Sequence, residues 1–290
     1  MGFKTLEIVE GEILKTFLDN LLVYRKDTKI IIPINTIDTL IIDNCMSNIS
    51  VQLLNKLSEN NILIIVCDKK HLPALQILPI NGNYNSLKII QQQIKWTNKS
   101  KGLLWQQIVR EKIKNQINLL KFLNIETQDL DELKNEIDFF DVSNREGHAS
   151  KIYWHKLFGK NFNRDDDNEI NVLLNYGYAV LLGYLSRSIV KKGLDNRISI
   201  FHKSFNNHFA LACDLMEPFR PMVDYLIHKF YLENNCMTLT TLKDEIIRLF
   251  TNKIKINNQL DYFNNAVDKT IDSVIKNMKI PNINIEYDKF

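Results

Sequence analysis

A chain of 290 residues, 45% hydrophobic and 24% charged, can build one large or two modest domains with real cores, and it is too apolar for a disordered polymer. The net charge of +3 does not advertise nucleic-acid binding through bulk electrostatics. The charge is unevenly divided, however: residues 1–84 hold 8 Lys/Arg against 9 Asp/Glu, and the remainder holds 29 against 25.

The first eighty residues read as strands. Residues 6–9, 21–24, 29–33 and 39–43 are short apolar or alternating runs broken by Gly, Asn or Asp. Residues 49–59 have helical spacing, with Ser47 or Asn48 as a candidate cap, and Ile62 to Val66 is a continuous β-rich run suited to the centre of a sheet. Pro73, Pro79 and Asn81-Gly82-Asn83 mark a turn-rich connection. Beyond residue 85 the pattern predicts long helices over 87–98, 103–122, 130–139, 149–157, 170–190, 218–232 and 239–251. The result is an α+β chain: a small N-terminal β-rich domain over 1–80, a linker over 81–86, and a larger all-α C-terminal domain over 87–290. Residues 170–186 carry no charge, but the run is short of the roughly 20 apolar residues that span a bilayer. It also holds Asn171, Asn175 and Ser186, so a buried core helix is the better reading. The start, Met1-Gly2-Phe3-Lys4, runs straight into strand-like sequence with no signal peptide. Cys45, Cys67, Cys213 and Cys236 lie in apolar runs without C-x-x-C pairing and read as buried free thiols of a reducing cytoplasm.

Two segments carry chemistry. In Gly193 to Asp224, His202 stands fifteen residues ahead of Glu217, too far for one straight helix, with Asp214 three residues before Glu217 on a shared face. Pro218 suits a first helical turn, which would set Glu217 near the positive end of a helix dipole. Asp-Leu-Met-Glu-Pro-Phe-Arg-Pro (214–221) packs two carboxylates, an Arg and two prolines into eight residues, which is odd for an ordinary amphipathic helix. The upstream segment, 144–150, sets Glu146 before Gly147 and two small residues. On spacing alone Glu146 is more readily a solvated acid, and His202 more readily a hydrogen-bonded core residue, than either is a ligand. Basic residues crowd the same region: Arg145, Lys151, Lys156, Lys160, Arg164, Lys191, Lys192, Arg197, Lys203 and Arg220. Each is equally a solvated helix surface or a phosphate contact.

Asn-Arg-Glu-Gly-His-Ala-Ser-Lys-Ile-Tyr-Trp (144–154), Asn-x-Leu-Leu-Asn-Tyr-Gly-Tyr-Ala (171–179), Gly-Leu-Asp-x-Arg-x-x-x-Phe-His (193–202) and Asp-Leu-Met-Glu-Pro-Phe-Arg-Pro-x-Val-Asp (214–224) together resemble the CRISPR adaptation integrase family, the larger of the two universal spacer-acquisition proteins. The similarity runs over the whole chain, and residues 57–73 look most like versions found beside type II effector nucleases. His148 and Ser150 depart from the small apolar residues of many members. The resemblance implies a β domain that dimerises and a helical domain that holds a divalent metal through Glu146, His202 and Glu217. In that frame Asp214 is an outer or auxiliary acid, and Arg145, Lys203 and Arg220 are candidate DNA-phosphate contacts. Two carboxylates and one imidazole suit Mg²⁺ or Mn²⁺ better than zinc.

The resemblance further implies the reaction: the 3′-hydroxyl of a short DNA duplex attacks a repeat phosphodiester, a transesterification that needs no protein nucleophile. It implies double-stranded and branched DNA as partners, a homodimer, and a heterocomplex with the small universal adaptation protein. In type II systems it adds the effector nuclease and a ring-shaped accessory protein, and no membrane. Two rival readings stand beside it: a non-catalytic DNA-binding scaffold of the same assembly, and an unrelated helical metallophosphodiesterase. Arg220 is expected to pair with Asp214 or Asp224, Tyr153 and Trp154 to pack between helices, and Tyr176 and Tyr178 to lie in the core.

Overall fold

The computed structural model describes residues 4–10, 13–26, 28–80, 83–202, 206–232 and 239–289. Lys203 and Cys236 lie outside them. The chain forms two compact units, Met1–Tyr84 and Asn85–Phe290.

In the first unit, β1 (Lys4–Ile8), β5 (Ile37–Ile42) and β7 (Leu63–Cys67) run parallel, with β8 (Pro73–Ile77) antiparallel at the edge. The apolar run near 62–66 is therefore β7, central in its sheet as expected. The first part of the segment read as a turn-rich connection, Pro73–Ile77, forms β8, while 81–82 lie outside the described residues; Pro73 is tolerated because it opens an edge strand. A second sheet is the meander β2 (Ile13–Phe17), β3 (Asn20–Arg25) and β4 (Thr28–Pro33), with β6 (Asn48–Ile49) paired to β2. Helix α1 (Val51–Glu59) is capped by Ser50, whose hydroxyl accepts from the Leu53 N–H at 3.2 Å. Its Leu53 and Leu57 close a core with Leu14, Leu21, Leu40 and Ile64.

The second unit is mostly helical. Helices α2 (Ser86–Ile94) and α3 (Asn98–Phe122) divide at Trp96-Thr97, where the Thr97 hydroxyl accepts from Ser100 N–H. There follow α4 (Gln128–Asn135), α5 (Arg145–Phe158), α6 (Glu169–Lys191), α7 (Ala210–Met216), α8 (Arg220–Leu232), α9 (Leu239–Leu249) and α10 (Phe263–Asn277). The expected helix over 130–139 stops at Asn135, and Phe139–Asp141 is a separate 3₁₀ turn. Helix α6 is buried along most of its length, the core helix its uncharged run predicted, and among the described residues no helix is long and apolar enough to cross a membrane. Gly177 lets α6 meet α8: a Cβ there would stand 2.5 Å from Val223 Cγ1.

Beyond the expected helices lies a small antiparallel sheet, β10 (Gln259–Tyr262), β9 (Lys253–Ile256) and β11 (Ile283–Asn284), so this unit is not purely helical. Cys67 is buried and Cys213 half-buried, but Cys45 is exposed, against expectation.

Candidate metal centre

Glu146 is placed by an unusual turn. Phe140, Asp141 and Asn144 have φ of 60°, 52° and 54°, a left-handed run that costs energy for each non-glycine residue. The strain is repaid locally, because the Asp141 carboxylate accepts from the N–H of Arg145 at 2.8 Å and of Glu146 at 2.9 Å. Asp141, not Asn144, thus satisfies the first N–H groups of α5. Burial pushes the Asp141 carboxyl above its ordinary range. Gly147 lets the Asn144 side chain fold against the helix, since a Cβ would come within 2.7 Å of its amide.

Glu217 lies where Pro218 interrupts a helical run. Residues 217–219 form a 3₁₀ turn between α7 and α8, because proline has no N–H to continue the ladder. Glu217 itself has helical φ and ψ with α7 directly before it, so it is not at a free helix N-terminus. Its charge is compensated by side chains instead. Arg220 Nη2 reaches Glu217 Oε1 at 2.9 Å, and Lys112 Nζ stands 2.6 Å from Oε2. Arg220 therefore pairs with Glu217, not with Asp214 or Asp224, and lies over the Tyr178 ring.

Lys112, on α3, is the group that sequence reasoning missed. It is 8% exposed and also donates to Glu146 Oε1, which accepts from Ser150 Oγ at 2.9 Å. Asn115, three residues on, fixes α3 against the turn by donating to Pro218 O at 2.9 Å. The Lys112 charge holds the Glu146 carboxyl down at about 2 despite burial. Burial opposes the charge on Lys112, but the two carboxylates outweigh it and raise its pKa. A signal for Lys112 did exist: it follows Ile108 by four residues on the core-facing side of α3, where a lone lysine needs a buried partner.

His202 is organised by Asp214. The Asp214 carboxylate, fully buried, accepts from the N–H groups of Ile200 at 2.7 Å, Phe201 at 3.0 Å and His202 at 3.2 Å, and contacts His202 Nδ1 at 2.5 Å. Phe201 stacks on Trp105 at 4.2 Å between centroids. The bond to Asp214 raises the His202 pKa against partial burial. Its cationic form then adds stability that is complete below the ordinary value and lost as pH rises through the raised one. With Nδ1 anchored to a carboxylate, Nε2 is the nitrogen left to face a ligand, the arrangement common behind metal-bound histidines.

The structure thus brings Glu146 and Glu217 together around Lys112 and pairs His202 with Asp214. Among the described residues no three His, Cys, Asp or Glu side chains are grouped closely enough to hold a metal. In kind, the residues fit a hard divalent cation. Glu217 Oε2 is buried with an ion-pair contact but no aligned hydrogen bond, and the donor set is two carboxylates and an imidazole.

Beside the carboxylates opens a polar cavity of about 310 Å³, lined by Lys112, Glu146, Trp154, Arg164, Tyr178 and Arg220. Arg164 is held by amides, with Nη2 donating to Asn175 Oδ1 at 2.8 Å and Nη1 to Asn171 Oδ1. Other basic residues are already engaged: Arg145 with Glu136, Lys156 with Asp129, Lys191 with Asp268, Lys192 with Asp272 and Arg197 with Asp195. His148 is exposed, and Tyr153, Tyr176 and Tyr178 are core residues, as expected.

Two acids bridged by one buried lysine beside a cavity lined by both acidic and basic side chains make a polar, charge-balanced site, and comparison makes the class specific. The family model for CRISPR associated protein Cas1 matches residues 8–240. A CRISPR-associated endonuclease Cas1 of Neisseria meningitidis serogroup C (strain 8013) is 32% identical over 98% of this chain and 97% of its own. Among solved structures, a Cas1 protein from Thermotoga maritima superposes with a TM-score of 0.76 at 16% identity, over 95% of this chain and 97% of that one. A casposase bound to integration product gives 0.75 at 17% identity, over 95% and 90%. The chain belongs to the Cas1 family. Membership sets aside the unrelated metallophosphodiesterase.

Proposed function

We propose that this chain is a divalent-metal-dependent DNA endonuclease and integrase of CRISPR spacer acquisition, joining the 3′-hydroxyl ends of a short duplex to a repeat phosphodiester. The observation that carries this reading is the convergence of Glu146 and Glu217, remote in sequence, around one buried cation at the mouth of a polar cavity. Family membership and the fold shared with an integration enzyme support it.

Glu146, Glu217 and the Nε2 face of His202 are the residues that would hold Mg²⁺ or Mn²⁺. Such an ion, when bound, would polarise the target phosphodiester and stabilise the leaving oxygen. The remaining work falls to the chain itself. Asp214 fixes the tautomer and orientation of His202 and ties down the loop that carries it. Asp141 fixes the first turn of α5 and with it Glu146. Arg164 and Arg220 offer positive charge where substrate phosphates would lie, and Trp154 and Tyr178 wall the cavity against bulk water. A displacement by a DNA hydroxyl needs no protein nucleophile. The homodimer, the small adaptation partner and branched DNA substrates belong to the same proposal.

The test is joining of a labelled short duplex into a supercoiled repeat-bearing plasmid by the purified protein with its small partner and Mn²⁺. Wild type is expected to join, and Glu217→Ala to fold yet lose more than about a hundredfold in rate. Wild-type joining by Glu217→Ala would reduce the acids to structure and leave a DNA-binding scaffold.

A further inference from the structure

The two acids of the site are separated by a tethered cation. Lys112 Nζ contacts both carboxylates, is 90% shielded along its side chain, and belongs to a helix whose backbone is pinned to the Glu217 turn through Asn115. Glu146, Glu217, Lys112 and Arg220 together sum to zero charge, so the metal-free cluster is electrically satisfied without any ion. An ammonium between two carboxylates occupies the position a divalent cation needs, and both cannot share it. The neighbouring cavity, which Lys112 also lines, gives its flexible four-carbon stem somewhere to swing.

We propose that Lys112 is a built-in counter-ion of the metal-free site, which a divalent cation must displace in order to bind. This rests on the reading of Glu146 and Glu217 as ligands. Three consequences follow physically. The ammonium holds the acids in place before metal arrives, since two buried carboxylates without a cation repel each other. It weakens metal affinity, because part of the binding free energy is spent breaking its contacts. With Lys112 displaced, the two acids, Arg220 and the divalent ion leave a surplus of one positive charge, so that the cluster becomes receptive to phosphate only once loaded.

The experiment titrates metal-free wild type, Lys112→Met and Glu217→Ala with Mn²⁺ by calorimetry and follows thermal unfolding with and without the ion. Lys112→Met is expected to bind Mn²⁺ at least about tenfold more tightly than wild type, to unfold at a lower temperature without metal, and to gain more from Mn²⁺ than wild type does. If wild type binds through Glu217 but Lys112→Met binds no more tightly, the counter-ion role is wrong and the metal site survives. If neither protein binds Mn²⁺, the metal site fails and the counter-ion role with it.

Should Lys112→Met not fold, wild type suffices. In an ¹⁵N spectrum of lysine ammonium groups, Lys112, assigned by Lys112→Arg, is expected to give a protected signal that moves or vanishes at saturating Mg²⁺. A signal unchanged at saturation overturns the proposal.

Discussion

Asp224 sits between two tyrosine hydroxyls, Tyr153 donating to Oδ2 at 2.8 Å and Tyr178 to Oδ1, with 1% of the residue exposed. Burial pushes its carboxyl up to about 6, and the two hydrogen bonds recover only part of the penalty. The folded protein therefore binds this proton more tightly than the unfolded chain does. Its contribution to stability is complete below the ordinary value of 3.8 and is lost as pH rises through about 6. Denaturant unfolding at pH 4 and pH 7 should show wild type losing on the order of 2–3 kcal/mol relative to Asp224→Asn across that window. Parallel pH profiles would place the proton elsewhere. Asp214 makes a second case: Asp214→Ala strands the buried N–H of Ile200 and the part-buried ones of Phe201 and His202, releases the His202 ring, and should cost about 2–4 kcal/mol. Near-ultraviolet dichroism should report the loosened Trp105–Phe201 stack; an unchanged spectrum and stability would deny Asp214 that role. Residues 214–221 stood out because two carboxylates, an Arg and two prolines are unusual in an ordinary helix, whereas Glu146 and His202 were singled out only through the resemblance. Lys112 was missed despite its place four residues after Ile108, because Lys99, Lys101, Lys114 and Lys121 in the same helix make one more lysine look solvated.

Among elements, the long periodic helices and the apolar run of β7 were legible because burial alone dictates their pattern. The hairpin of β9 and β10 was not, although Asn257-Asn258 carries the signal of a two-residue turn, with φ of 48° and 65°. Its strands, Lys-Ile-Lys-Ile and Gln-Leu-Asp-Tyr, are four residues each, too short to stand out beside helical neighbours. The break at 217–219 was half visible: Pro218 marked a helical turn, but not that α7 would run into it. Contact between α6 and α8 depends on Gly177, and Gly177→Ala should lower stability by about 1–3 kcal/mol through collision with Val223. Val223→Ala should partly rescue it. A chemical-denaturation cycle showing additive effects would mean the helices shift apart freely.

For the whole molecule, clustered basic residues overstated the electrostatic footprint, since the ion pairs that consume them form only in the fold. Lys191 and Lys192 are tied to Asp268 and Asp272 on α10. Replacing both lysines with Gln should leave duplex-DNA affinity at physiological salt within about twofold while lowering the melting temperature slightly. A large loss of affinity would put that face in the DNA path. The proposed chemistry requires Glu146, His202 and Glu217 to act as one centre. Anomalous diffraction at the manganese edge from Mn²⁺-soaked crystals tests this most directly. The expected map holds a single strong peak coordinated by both carboxylates and by His202 Nε2, with the Lys112 ammonium moved away. A peak elsewhere, or none while Lys112 stays between the acids, would contradict it.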